Sequence, residues 1–222
     1  MRRARLIPLG WVDAKQPPTI LCIGAHCDDI EIGCGATLAH WAGQYPQARL
    51  SWAVFSGTAE RVAETRSAAR ALLGSERQLE LRFFDFRDSY FPSQLAEIKE
   101  AFGQLATLAP DLILTHHEHD RHQDHRALAE LTWNTFRNHL ILEYEIPKYD
   151  GDLGNPNVFV PLSAETVRRK VEALTTSFIT QRGRDWFTAD TFTSLMRLRG
   201  LQCHAPSGFA EGFYARKLVL AP

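Results

Sequence analysis

Residues 19–38 read TILCIGAHCDDIEIGCGATL. The opening TILCIG is short, apolar and rich in β-formers, which reads as a buried strand. His26, Asp28 and Asp29 follow at once, set between glycines. From Gly35 to Ala42, Leu38, Trp41 and Ala42 recur at helical spacing. A strand, a polar turn and a helix in this order form the first unit of an α/β fold. The turn places two carboxylates and an imidazole just past the strand.

The same alternation continues outward from this unit. LSWAVFSG (50–57) is a strand, and AERVAETRSAARALLG (59–74) is a helix stopped by Gly74. LELRFFDF (79–86) is a third strand, followed by a helix over 93–109 between Pro92 and Pro110. DLILTHH (111–117) is a fourth strand and DHRALAELTWNTFRN (124–138) its helix. Four strand–helix units predict a mostly parallel sheet with helices on both faces and right-handed crossovers. The second half is less regular. Residues 144–163 are rich in Pro, Gly, Asp and Asn and read as a long ordered loop with an edge strand. Helices are expected over 163–181, capped by Ser163, and over 189–200, ending at Gly200. FYARKLVL (213–220) is the closing strand.

The totals bound the answer. At 222 residues the chain suits a single domain over 1–222. Net charge is −1 with basic residues dispersed, so no basic stripe points to nucleic acid. No run approaches a membrane span. The start, MRRARLIPLGWVDAK, has too short an apolar part for a targeting signal, and a cytoplasmic protein is expected. None of the four cysteines forms a C-x-x-C pair. A zinc ribbon and a disulfide framework are therefore not expected, and Cys22 reads as a buried thiol.

In open α/β sheets, ligands gather beyond the carboxyl ends of the strands. His26, Asp28 and Asp29 follow the first strand, and THHEHDRHQDHR (115–126) follows the fourth, so both lie on one sheet edge. A histidine–carboxylate set without thiols matches a catalytic zinc site, with one coordination position left for water. His26 and Asp29 can aim at one point from a turn. His122 and His125, three apart near a helix start, share a face, and one binds metal while the other stays free beside it. Asp28 suits a general base, and His122 an acid that stabilises an oxyanion and protonates a leaving group. Asp124, between the two histidines, is placed to accept a ring N–H from one of them. For Asp28 and Asp29 the alternative is plain helix capping. His116, His117 and His119 lie near the site without an assigned role, and His40, His139 and His204 read as solvated.

At these residues the sequence resembles a known family. GAHCDDIEIGCGATL (24–38) and DRHQDH (120–125) are similar to the two signature motifs of the PIG-L/LmbE zinc deacetylases, the GlcNAc-phosphatidylinositol de-N-acetylase family. RVAE (61–64), KVEAL (170–174), LRG (198–200) and AEGF (210–213) resemble weaker elements of its pattern. The resemblance implies a Rossmann-like, LmbE-like α/β domain that hydrolyses acetamides on amino sugars, with His26, Asp29 and His125 as zinc ligands. It implies Asp28 as general base, His122 as the group that stabilises or protonates the transition state, and Arg61 and Asp88 as substrate contacts. For Arg61 the competing reading is a helical pair with Glu64. Lys148, Tyr149 and Asp150 of the loop 146–152 form a further polar set, or a loop held by its own turns. Cys27, Ile30, Ala36 and the FITQ segment (178–181) depart from the usual pattern, and Cys27 puts a thiol beside the metal. The implied cofactor is Zn2+, with Fe2+ or Co2+ also suited to these donors. The implied ligand is an N-acetylated amino sugar or glycoconjugate, and a homo-oligomer is compatible with the sequence.

Competing readings are weaker. A dinucleotide site would need a third glycine where Leu38 stands, and an acidic residue after the second strand. A serine hydrolase lacks its G-x-S-x-G element. A non-catalytic, metal-dependent sugar-binding protein would have no use for Asp28 and His122.

Overall fold

In the computed structural model, which describes residues 17–219, the first strand, β1 (Thr19–His26), is buried on both faces. Ile20 and Cys22 enter one apolar layer, while Leu21, Ile23 and Ala25 enter the other. This is the two-sided burial of a strand with helices above and below. Beside it lie β2 (Arg49–Ser56), β3 (Leu79–Phe83), β4 (Leu112–His116) and β5 (Leu140–Tyr144), all parallel. Two antiparallel strands, β6 (Val158–Pro161) and β7 (Ala210–Tyr214), complete a seven-stranded sheet of order β3-β2-β1-β4-β5-β7-β6.

Among the described residues, six α-helices cover the sheet. α1 (Asp29–Gln44), α2 (Ala59–Leu73), α5 (Ala164–Ser177) and α6 (Ala189–Gln202) pack together on one face. α3 (Leu95–Ala106) and α4 (Gln123–Thr135) pack on the other. The chain runs outward from β1 to β3, then crosses back to place β4 on the other side of β1. The β1–β4 junction is thus the switch point, where the crevice beyond the strand ends is expected. None of the described helices is long and apolar enough to cross a membrane.

The α/β alternation, the mostly parallel sheet and the Ser163 cap, which accepts the Thr166 N–H, agree with the sequence. Several boundaries differ. α1 starts at Asp29, six residues before the expected Gly35, because it is buried nearly all round and shows no polar stripe to mark its beginning. β5 was not expected. Five apolar-rich residues between a helix and a Pro/Gly loop do not distinguish a strand from a helix tail. The closing strand lies earlier, at Ala210–Tyr214; Leu220 and the amino-terminal segment read for a targeting signal fall outside the described residues. Gly200 does not end α6, which runs on to Gln202. A Cβ there would stand 2.1 Å from the Gly208 carbonyl oxygen, so Gly200 permits close backbone packing.

Candidate metal centre

The two sequence segments meet at the switch point. His26 ends β1, and Asp29 opens α1. His125 lies in the first turn of α4, which His122 caps: its Nδ1 accepts the Asp124 N–H at 3.3 Å. His26 Nδ1 lies 3.3 Å from His125 Nε2 and 3.4 Å from Asp29 Oδ2. His125 Nε2 lies 3.6 Å from Asp29 Oδ1. A tetrahedral ion with bonds of about 2.0–2.2 Å sets its donors roughly 3.3–3.6 Å apart. Two imidazole nitrogens and a carboxylate at this spacing therefore fit a divalent cation, and the set suits zinc. The groups that could hold an ion overlap here: His26, His122 and His125; Asp29, His116 and His125; and His26, Asp88 and Asp124. His40, His139 and His204 join none of these.

The surrounding groups orient these donors. Asp120 Oδ2 takes the His125 Nδ1 at 2.9 Å, and its Oδ1 accepts the His122 N–H at 2.7 Å. Lys148 lies 3.0 Å from the same carboxylate. Asp124 is fully buried and accepts N–H bonds from Ser89 at 2.6 Å and Phe91 at 3.1 Å. It faces the ring of His26, Nε2 to Oδ2 3.3 Å, and not His122 or His125 as the spacing suggested, because α4 turns its side chain toward the 89–91 segment. Asp88 also reaches His26 Nε2, at 3.2 Å. His116 Nε2 accepts the Ala25 N–H at 2.9 Å, and its ring stacks on His125 at 3.9 Å. Nothing in the spacing singles out Asp120 or His116. Asp120 is a loop residue five before its partner, and His116 is one of five histidines within residues 116–125.

Asp28 is buried at the amino end of α1 with φ 109°. Burial pushes its carboxyl up to about 7, against the pull of Arg61. Arg61 donates to Asp28 Oδ2 at 2.9 Å and to the Cys27 carbonyl. The alternative pairing of Arg61 with Glu64 does not form; Glu64 accepts instead from the Thr180 N–H and hydroxyl, at 2.7 and 2.6 Å. The FITQ departure thus supplies its own partner through Thr180. Burial raises Asp29 too, but His125 and His116 more than offset this and hold it well below the carboxylate range. Burial, then the charge of His26, lowers His122. Burial raises the Cys27 thiol to about 11, and its Sγ turns to the Ser56 carbonyl at 3.8 Å. In the 146–152 loop, Lys148 points inward, while Tyr149 and Asp150 are exposed.

Residues 21–136, from β1 through α4 and both halves of this centre, match the family PIG-L, GlcNAc-PI de-N-acetylase. The chain belongs to the PIG-L family. YaiS of Escherichia coli K12, an uncharacterised deacetylase, is 35% identical over 173 residues, covering 72% of this chain and 91% of YaiS. The N,N'-diacetylchitobiose deacetylase of Pyrococcus horikoshii superposes with a TM-score of 0.67 at 17% identity, over 90% of this chain and 84% of that one. GalB of Pseudomonas putida, a 4-carboxy-2-hydroxymuconate hydratase, superposes with a TM-score of 0.70 at 16% identity, over 92% of this chain and 98% of its own. At these identities the likeness is one of fold. That fold carries hydration as well as deacetylation, so the activity of this PIG-L chain must be argued from its site.

Proposed function

We propose that this PIG-L protein is a zinc-dependent hydrolase that removes an acetyl group from the nitrogen of an amino-sugar substrate. The convergence of His26, Asp29 and His125 at tetrahedral spacing, with Asp28 and His122 beside them and outside the donor triangle, supports the reading best. A zinc ion held by these three residues would supply a Lewis acid and a water of lowered pKa. Asp28, held by Arg61, takes a proton from the attacking water. His122 Nδ1 already accepts the Asp124 N–H, so its proton sits on Nε2 when the ring is neutral. That N–H donates a hydrogen bond to the amide oxygen as negative charge gathers there. The sequence suggests His122 as an acid; burial favours its neutral ring, and in this reading the neutral ring serves as a hydrogen-bond donor. The C–N bond then breaks, the proton held by Asp28 passes to the leaving nitrogen, and acetate and the free amine result. Arg61 fixes the base, and Asp88, exposed over more than half its side chain, meets the sugar hydroxyls.

Asp28→Asn is the sharpest variant, because Asn also tolerates the left-handed backbone and keeps an acceptor for Arg61. It is expected to lower acetate release from N-acetylated sugars by about 10²–10⁴-fold without loss of bound metal. Unchanged turnover would remove the base assignment. Acetate release from none of a panel of N-acetylated sugars would favour a binding or hydratase function for this fold.

A further inference from the structure

His116 and His117 are consecutive but serve different spaces. His116 packs on His125 in the metal centre. His117 lines an open cleft of about 390 Å³ with Glu118, Asn155, Tyr214 and Arg216 among its walls. The cleft has a built polar floor. Buried Glu143 accepts from His117 Nδ1 at 2.7 Å, the Glu118 N–H at 3.0 Å, Trp133 Nε1 at 2.5 Å and Arg216 Nε at 3.2 Å. That contact fixes the proton on Nδ1 and leaves His117 Nε2 as an acceptor. No other described residue hydrogen-bonds Nε2. The ring is held flat against Tyr214, with centroids 3.7 Å apart and planes 8° apart.

Two more features keep the cleft usable. Gly154 has no side chain where a Cβ would stand 2.6 Å from the Tyr214 hydroxyl. Asn155 is exposed on the wall, and its amide makes no hydrogen bond to another described residue. Charge sets the ligand class. Glu118, Glu143 and Asp152 line the cleft against the single guanidinium of Arg216, which already pairs with both Glu118 and Glu143. A phosphate would meet net negative charge, whereas hydroxyls would find an imidazole acceptor and a free amide. The cleft also shares a wall with the metal centre. Asp152 binds the Arg121 N–H at 2.7 Å and Lys148 at 2.5 Å, and Lys148 reaches Asp120, the partner of His125.

We propose that this cleft is a second subsite that takes an uncharged sugar ring linked to the acetamido sugar, so that the substrate is a neutral glycoside and not a sugar phosphate. The proposal rests on the deacetylase reading of the neighbouring centre. The test compares N-acetylglucosamine, its 1-phosphate and N,N'-diacetylchitobiose as substrates. One lost or gained hydrogen bond is worth about tenfold, so the disaccharide KM is expected about tenfold below that of the monosaccharide. Asn155→Ala, and His117→Phe, which keeps the ring on Tyr214, should raise the disaccharide KM to the monosaccharide value. The kcat and the monosaccharide KM should stay unchanged. Variants that shift both KM values equally, or neither, overturn the subsite, as does a lowest KM for the 1-phosphate. If no acetate is released from any probe, the deacetylase reading fails separately, and calorimetric titration of diacetylchitobiose decides. Binding to the wild type that Asn155→Ala weakens upholds the subsite; equal binding to both proteins, or none, overturns it.

Discussion

Asp28 holds its carboxylate in place through a backbone at φ 109° and ψ −26°, a conformation that costs a non-glycine residue of order 1–3 kcal/mol. The surrounding contacts maintain it: Arg61 grips the side chain, and the Ile32 N–H closes the first helical turn on the Asp28 carbonyl at 2.9 Å. Strain is thereby stored at the group assigned to proton transfer. Asp120 acts at one remove. Its two oxygens orient the His125 ring and the His122 backbone, and neutralising it leaves His125 a weaker, less directed donor. Asp120→Asn is therefore expected to reduce metal affinity by about 10–100-fold, read by competition with a coloured chelator. Affinity equal to that of the wild type would show that Asp120 does not position His125. At this scale the sequence marked Asp28, Asp29, His26, His122 and His125, because short spacing in a turn or helix start constrains direction. It did not mark Asp120 or Lys148, whose roles depend on loop paths, and it aimed Asp124 at the wrong histidine.

Among the elements, α1 is held in an unusual way. Lys170 of α5 donates to the Ile32 carbonyl, and Glu211 of β7 accepts the Ala36 and Thr37 N–H groups at 3.1 and 2.7 Å. The two side chains pair at 2.6 Å and are almost wholly buried. An ion pair from two distant elements thus meets the backbone of the helix that begins at Asp29. This gives a physical reason for the KVEAL and AEGF segments to matter together, which their separation in sequence conceals. Removing one partner strands a buried charge, so Lys170→Met is expected to cost about 3–5 kcal/mol in urea unfolding. The exposed Arg168–Glu165 pair is the control, and Arg168→Met should leave the midpoint where it was. A Lys170→Met midpoint equal to that of Arg168→Met would refute the role given to the buried pair. Element type was legible wherever one face met solvent, as in α2, α3 and α5. It was not legible in β5, where five apolar-rich residues after a helix fit a strand and a helix tail alike, or at the start of α1, which is buried nearly all round.

For the whole molecule, the strand order decides whether a site exists. His26 and His125 stand 99 positions apart and come within 3.3 Å because β4 lies beside β1 at the reversal of the sheet. The repeated strand–helix alternation made a parallel sheet readable from the sequence, and the rule for strand ends placed both motifs on one edge. Adjacency of β1 and β4 was not readable from periodicity, since alternation alone fits other strand orders. The donor triangle is the consequence of that order, and metal content tests it most directly. Elemental analysis of the purified wild type and of Asp28→Asn is predicted to find about one equivalent of zinc or another divalent ion per chain, and none in Asp29→Ala or His125→Ala proteins that keep the wild-type circular dichroism. A folded wild type that binds no divalent ion, or folded Asp29→Ala and His125→Ala proteins that retain it, would contradict the account.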